Sequence, residues 1–212
     1  MSLNIPVSFE FFPPKTAEGT EKLANAVTAL AEFKPEFFSC TYGAGGSTQN
    51  GTFTTVAAIR ERGFDAAPHL SCVGSTHAGI LEILQHLKAQ NVRRIVALRG
   101  DLPSGMGGMG EFHYASELVS FIREQTGDWF HIEVAAYPEY HPQSCSPADD
   151  LKHFVAKMHA GANSAITQYF YNADAYARFV EDVRAKGVNA PIIPGIMPIT
   201  NYSRLARFSE TC

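Results

Sequence analysis

The segment Ser8-Phe9-Glu10-Phe11-Phe12-Pro13-Pro14-Lys15 sets one carboxylate among aromatic neighbours, in a run with strand character. A glutamate withdrawn from water has its pKa raised, which makes it a usable general acid near neutral pH. The bland alternative is a buried glutamate paired with a cation for structure. Four further segments carry chemistry. Cys40-Thr41-Tyr42-Gly43-Ala44-Gly45-Gly46-Ser47-Thr48 offers backbone amides that can approach a phosphate or a flat ring, although a plain turn has the same composition. Ala97-Leu98-Arg99-Gly100-Asp101-Leu102-Pro103 brings two opposite charges and an open backbone to one turn, where Arg99 and Asp101 either serve a ligand or cap the turn as an ion pair. Ala136-Tyr137-Pro138-Glu139-Tyr140-His141-Pro142 and Thr167-Gln168-Tyr169-Phe170-Tyr171 supply an imidazole, an amide and aromatic rings, a set suited to a planar heterocycle or to packing at a strand end. The glycine-rich stretch 105–110 reads as a lid or a surface loop.

Several chemistries are excluded. The sequence contains no G-x-S-x-G elbow, no Walker A loop and no Cys–His nucleophile signature. His69, Cys72, His113, His131, His141, His153 and His159 lack the H-E-x-x-H or C-x-x-C spacing of metal sites, so no metal is expected and a metal-dependent barrel hydrolase is a distant rival. His69 is read as a ligand-facing hydrogen-bonding group. With 17 basic and 21 acidic residues the net charge is −4, without the basic stripe that nucleic acid or a membrane surface would need. No apolar run is long enough for a membrane span and no signal-peptide pattern opens the chain. The 4 cysteines are scattered (Cys40, Cys72, Cys145, Cys212), which points to reduced thiols and a cytoplasmic protein.

These segments need elements to hold them. Apolar, β-rich runs at Val7–Phe11, Phe37–Cys40, Ala66–Leu70, Arg94–Leu98, His131–Ala136, Asn163–Thr167 and Pro191–Gly195 predict strands. Helical periodicity follows at Glu21–Phe33, Phe53–Arg62, Ala78–Gln90, Ala115–Gln125, Ala148–Ala160 and Ala173–Lys186, with a seventh helix opening at Tyr202–Phe208. Gly63, Gly127, Gly161 and Gly187 stand as stop signals. The strands recur every ~31 residues, the length of one β-α unit. Such alternation is α/β, with a parallel sheet. A doubly wound sheet would carry a glycine fingerprint after its first strand, where this chain has Phe-Phe-Pro-Pro-Lys. The expectation is therefore a (β/α)8 TIM-type barrel over residues 1–212 as one domain, with about seven units present and the eighth missing. In such a barrel all the chemical segments above lie at the C-terminal ends of strands.

In order along the chain, Ser8 to Lys15, Thr41-Tyr42-Gly43-Ala44, Ala97 to Asp101, Ala136 to Glu139 with His141, Ile166-Thr167-Gln168 and the turn Pro194-Gly195-Ile196-Met197-Pro198 resemble methylenetetrahydrofolate reductase. The resemblance implies a flavoprotein barrel with FAD at the C-terminal face. It implies ping-pong transfer of hydride from NAD(P)H to the flavin and then to methylenetetrahydrofolate, giving 5-methyltetrahydrofolate. Glu10 matches the general acid that helps open the folate's five-membered ring to an iminium ion. Asp101 matches an aspartate between flavin and folate, Gln168 the amide that holds the pterin, and Thr41 a residue near flavin and nicotinamide. Tyr42, Ala44, His69, Arg99, Gly100, Ala115, Tyr137, His141, Asp150 and Lys157 match FAD-binding positions, with Asp101 and Thr41 alongside. Two positions depart from relatives: His153 stands where they can carry asparagine, and Ala156 where they can carry arginine. The family's habit and the edges of an unclosed barrel imply a homo-oligomer. The rival readings are a flavin-binding barrel that is catalytically incomplete and a related flavin barrel such as proline dehydrogenase; the Ser8–Lys15 segment speaks against the latter.

Overall fold

The computed structural model describes residues 5–42, 49–100 and 110–209, apart from the side chains at 204 and 208. Strands and helices alternate: β1 Ser8–Phe11, α1 Ala17–Leu30, β2 Phe37–Cys40, α2 Gln49–Arg60, β3 Ala66–Ser71, α3 His77–Ala89, β4 Arg94–Leu98, α4 Ala115–Thr126, β5 His131–Ala136, α5 Pro147–His159, β6 Ser164–Thr167, α6 Ala173–Ala185, β7 Ile192–Ile193 and α7 Tyr202–Ser209. All strand pairs are parallel, in the spatial order β1-β2-β3-β4-β5-β6-β7. A doubly wound sheet reverses its order partway; this one never does.

The side-chain alternation settles the architecture further. Phe38, Cys40, Ala66, Leu70, Ile95, Ala97, Ile132, Val134 and Ala165 point to one face, where they pack with Val27 of α1, Val56 and Ile59 of α2, Leu84 of α3, Leu118 and Ile122 of α4, Phe154 of α5 and Val183 of α6. The other face carries Phe37, Ala67, Val96, Leu98 and Ile166, which contact one another. Helices α1 to α6 thus cover a single face, as in a β/α barrel, and the opposite face is the interior. Among the described residues β1 and β7 pair on one side only.

Interior polar groups sit at both ends of the strands. Toward the N-terminal end, Glu133 is fully buried. Arg94 Nη1 donates to its Oε1, Ser164 Oγ donates to its Oε2 at 2.6 Å, and His131 Nε2 lies 3.2 Å from Oε1. The Arg94 guanidinium also lies 4.3 Å from the centre of the Phe37 ring. This end is held by charge and packing; the C-terminal end is more open.

Helix starts are fixed by side-chain caps: Thr16 accepts from Gly19 N, Thr76 from Gly79 N, Ser146 from Asp149 N, and Asn172 from Asp174 N and Ala175 N. Thr16 explains why α1 begins at Ala17 and not at Glu21, since the cap acts before the apolar periodicity starts. Strand seven is shorter than Pro191–Gly195, being confined to Ile192–Ile193. The expected lid at 105–110 lies, but for Gly110, outside the described residues.

Candidate functional site

β1 and β2 align Glu10 opposite Ser39, and β2 and β3 align Ser39 opposite Ala67, two residues before His69 on the same face. The three polar side chains therefore meet at the mouth. Ser39 Oγ donates to Glu10 Oε2 at 3.5 Å, and His69 Nε2 lies 3.2 Å from that same oxygen. The His69 ring is buried, at 7% exposure, and its Nε2 makes no hydrogen bond among the described residues.

Glu10 corrects one expectation. Its side chain is 48% exposed: among the described residues β1 has a neighbour on one side only. Partial burial works to raise its pKa, but the His69 ring and the Ser39 hydroxyl outweigh it and hold the carboxyl below its usual value. The raised pKa expected from an apolar strand is not the state of this site as it stands.

β4 delivers Arg99 and Gly100. The Arg99 carbonyl accepts from Val73 N at 2.8 Å and from Ser71 Oγ at 3.0 Å, so the turn is tied to the end of β3. Arg99 Nη2 donates to Gln143 Oε1 in the loop after β5. Gly100 has φ +84°, and a Cβ there would meet Ser71 Oγ at 1.9 Å. Asp101 and Ala44 lie outside the described residues, so the Arg99–Asp101 alternative gains no geometry.

The loop after β5 carries Tyr137 and His141, whose rings meet edge to face at 4.5 Å. Asp150 in the first turn of α5 accepts from Ser144 Oγ at 3.0 Å. About two turns further on, Lys157 donates from Nζ to the Ala135 carbonyl. Burial, opposed by Asp150 and aided by the positive charge of Arg99, pushes the Lys157 ammonium down to about 8. Ala115 opens α4 directly after Tyr114, whose carbonyl lies 3.9 Å from Cys72 Sγ. The departure at His153 has its own contacts: the ring stacks on Tyr114 at 5.0 Å and its Nε2 lies 3.6 Å from Asp149.

Thr41 continues β2, giving its N–H to the Phe11 carbonyl and taking the Thr52 hydroxyl on its own carbonyl. Burial raises the Tyr42 phenol. Gln168 gives its backbone N–H to Ala136, and its Oε1 accepts from Tyr169 N at 3.0 Å, which orients the amide at the end of β6. The structure thus brings the described candidates toward one end of the sheet: Glu10, Thr41, Tyr42 and His69 at β1–β3, Arg99, Gly100, Ala115, Tyr137, His141, Asp150 and Lys157 on the elements around β4 and β5, and Gln168 at the end of β6.

Sequence reasoning missed Ser39 and Gln143. Ser39 was within reach, because a serine at an inward position of a strand that is buried throughout has to bond something. Gln143 carries no signal of its own. Thiol chemistry does not fit: burial pushes Cys40 and Cys72 up to about 12, so neither ionises near neutral pH. Among the described residues no three His, Cys, Asp or Glu side chains gather as a metal site would, and no helix is long and apolar enough to cross a membrane.

Comparison with known proteins bears on this mouth. The sequence model of the family described as methylenetetrahydrofolate reductase matches residues 2–212. The 5,10-methylenetetrahydrofolate reductase of Pectobacterium carotovorum is 44% identical over 206 residues, covering 97% of this chain and 68% of that protein. The Escherichia coli enzyme of the same name is 42% identical over 207 residues, covering 97% and 69%. The Arabidopsis thaliana methylenetetrahydrofolate reductase (NADH) 1 is 38% identical, with 37% of its length covered. Among solved structures, a Clostridium thermocellum protein that binds two copies of 5-methyl-5,6,7,8-tetrahydrofolic acid superposes with a TM-score of 0.72 at 15% identity, covering 97% of this chain and 70% of that one. The fold is a TIM-like α/β architecture of seven units.

Proposed function

The chain belongs to the methylenetetrahydrofolate reductase family, an oxidoreductase family, and from that membership we propose that it reduces 5,10-methylenetetrahydrofolate to 5-methyltetrahydrofolate with NAD(P)H as reductant and FAD as cofactor. The observation that carries the reading is the convergence of Glu10, the Arg99–Gly100 turn and Gln168 on one end of the sheet.

The residues present fit a dinucleotide. The side-chain-free surface of Gly100 is enforced by Ser71, so a flat ring or a phosphate can lie against the backbone there. Arg99 and Lys157 supply two cations, and the Lys157 ammonium, strained by burial, is poised to gain from an anion. Thr41, Tyr42, His69, Ala115, Tyr137, His141 and Asp150 complete the proposed wall, with Ala44 and Asp101 from the two loops outside the described residues. When bound, FAD supplies the redox centre through which a hydride passes from nicotinamide to folate in separate, ping-pong half-reactions.

The protein's own groups do the rest. Gln168 offers its amide to the pterin, and Thr41 lines the space shared by successive substrates. Asp101 is assigned to the neighbourhood of both ring systems. Glu10 gives its proton to the folate nitrogen that leaves as the five-membered ring opens. Its carboxyl is held low while water reaches it; a planar ring system laid over the mouth strips that water away and favours the protonated form.

Purified protein is expected to be yellow, absorbing near ~450 nm as flavoproteins do. Protein that is colourless and takes up no added FAD overturns the reading. Glu10→Gln is expected to abolish oxidation of the reduced protein by methylenetetrahydrofolate while leaving its reduction by NADH largely intact.

The sides of β1 and β7 that are unpaired among the described residues favour one second reading, a barrel that binds flavin but does not turn over. Steady-state turnover by the 212-residue chain rejects it. The same edges underlie our proposal of a homo-oligomer, read by light scattering. A cytoplasmic setting suits the free thiols of Cys40, Cys72 and Cys145.

A further inference from the structure

Glu10 has two carboxylate oxygens in unlike surroundings. Oε2 takes both neighbours, Ser39 Oγ at 3.5 Å and His69 Nε2 at 3.2 Å. Oε1 has no hydrogen-bond or ion-pair partner among the described residues. The two clamping groups are themselves fixed. Ser39 and His69 are 3% and 7% exposed, and each sits in the middle of a strand paired on both sides. Glu10, by contrast, is half open to solvent. A long, flexible carboxylate so exposed would sample several rotamers; two rigid groups on one oxygen restrict it to one.

We propose that Ser39 and His69 are positioning residues that clamp Glu10 through Oε2 and so make Oε1 the oxygen that carries the proton to the substrate. The inference rests on the reading of Glu10 as the general acid. It assigns His69 a task besides contact with a cofactor, and it gives Ser39 a task where nothing else in the site requires a hydroxyl. The clamp also accounts for the buried His69 Nε2, which makes no hydrogen bond among the described residues. Its 3.2 Å contact is within ion-pair reach yet outside hydrogen-bond geometry, so the ring bears on Oε2 by close polar contact from a buried, fixed position. Among the described residues the titratable group that faces Glu10 is His69 from β3; the Cys40 thiol, on the opposite face of β2, feels the charge of the carboxylate but stays neutral at any working pH.

The test is rapid kinetics of the two half-reactions on the flavin-loaded protein, across pH, for Ser39→Ala, His69→Gln and Glu10→Gln. Ser39→Ala removes one atom from a buried position. It is expected to slow folate-dependent reoxidation between about 10- and 100-fold through misplacement of the acid. It also moves the alkaline limb of that half-reaction to higher pH, because a group that favours the ionised carboxylate is gone. Reduction by NADH keeps the wild-type rate. His69→Gln keeps a nitrogen donor without the ring; the limb shifts the same way and the rate falls less than in Ser39→Ala. A Ser39→Ala profile that coincides with wild type in rate and pH overturns the clamp. A Glu10→Gln protein that still oxidises with folate overturns instead the acid role on which the clamp rests, so the two failures are distinguishable.

Discussion

Ser71 Oγ occupies the space that any side chain at residue 100 would need: a Cβ on Gly100 would lie 1.9 Å from it, and Val73 Cγ1 would follow at 3.0 Å. The hydroxyl is not free to withdraw, because it donates to the Arg99 carbonyl at 3.0 Å. The end of β3 thus holds the turn after β4 against the mouth with bare backbone outward.

Gly100→Ala should therefore suffer twice. The backbone at φ +84° costs a residue with a Cβ about 1 kcal/mol, and the overlap with Ser71 adds ~2 kcal/mol. For a chain of this size that is a fall of about 6–12 °C in Tm by calorimetry. Ser71→Gly in the same chain should recover the overlap but not the backbone cost. Flavin uptake is expected to fall in Gly100→Ala more than the loss of stability explains.

The β/α alternation and the strand-end location of the chemistry are legible in the sequence because period, stop glycines and caps are local signals. What is not legible is any quantity set by a neighbour across the sheet. Glu10 sits in an apolar run, yet its environment depends on Ser39 and His69 lying beyond it on β2 and β3. The helix boundary at Ala17 was hidden for the opposite reason: Thr16 is a local cap, but the first turn it starts has no apolar stripe. Gln143 reaches Arg99 across 44 residues of chain, and a single sequence carries no mark of that contact.

Lys157 gives a pH signature with a definite sign. Its pKa is about 8 in the folded protein against ~10.4 for an unfolded lysine. Below the folded value both states hold the proton, and the buried charge weighs on the fold in full. Between about 8 and ~10.4 the unfolded chain binds more protons, so wild-type stability gains as pH rises through that window. Lys157→Met lacks this gain. Denaturant midpoints of the two proteins, compared at pH 7 and pH 10, should change in favour of wild type at the higher pH. FAD, if its phosphates lie at Lys157, should move the titration upward, as NMR of methylated lysine would show.

Glu133 should matter to stability and not to the site. Replacing it by glutamine leaves Arg94 and His131 facing a buried neutral amide, and loss of one partner in such a network costs ~3 kcal/mol or more. The carboxyl is held below its usual value by His131, Ser164 and Arg94 against the effect of burial, so its contribution is complete above about pH 4.3 and is lost as pH falls through the lower folded value. Glu133→Gln is thus expected to melt earlier at neutral pH and to lose less on acidification than wild type. Its flavin uptake at low temperature should match wild type, since the network lies toward the opposite end of the strands from Arg99 and Tyr137.

Gly195 bears on how Gln168 is held. Its N–H donates to Thr167 Oγ1 at 2.9 Å, and a Cβ there would stand 2.1 Å from the Thr167 carbonyl and 3.5 Å from the Gln168 carbonyl carbon. The strand end of β7 is therefore pressed against the residue that precedes the proposed pterin amide. Backbone cannot swing aside as a flexible side chain can, so Gly195→Ala has to displace Thr167 and Gln168 together. A shift near 1 Å at a substrate contact can cost about 100-fold. We expect KM for methylenetetrahydrofolate to rise at least ~10-fold, with flavin content near normal, because Arg99 and Gly100 lie in the turn after β4 and Lys157 lies in α5. Thr167→Val is the gentler companion, removing the hydroxyl that anchors Gly195 without the overlap, and a smaller rise in the same constant is expected. Equal effects of both substitutions on flavin content and on KM would mean that the turn supports the barrel as a whole and has no particular bearing on Gln168.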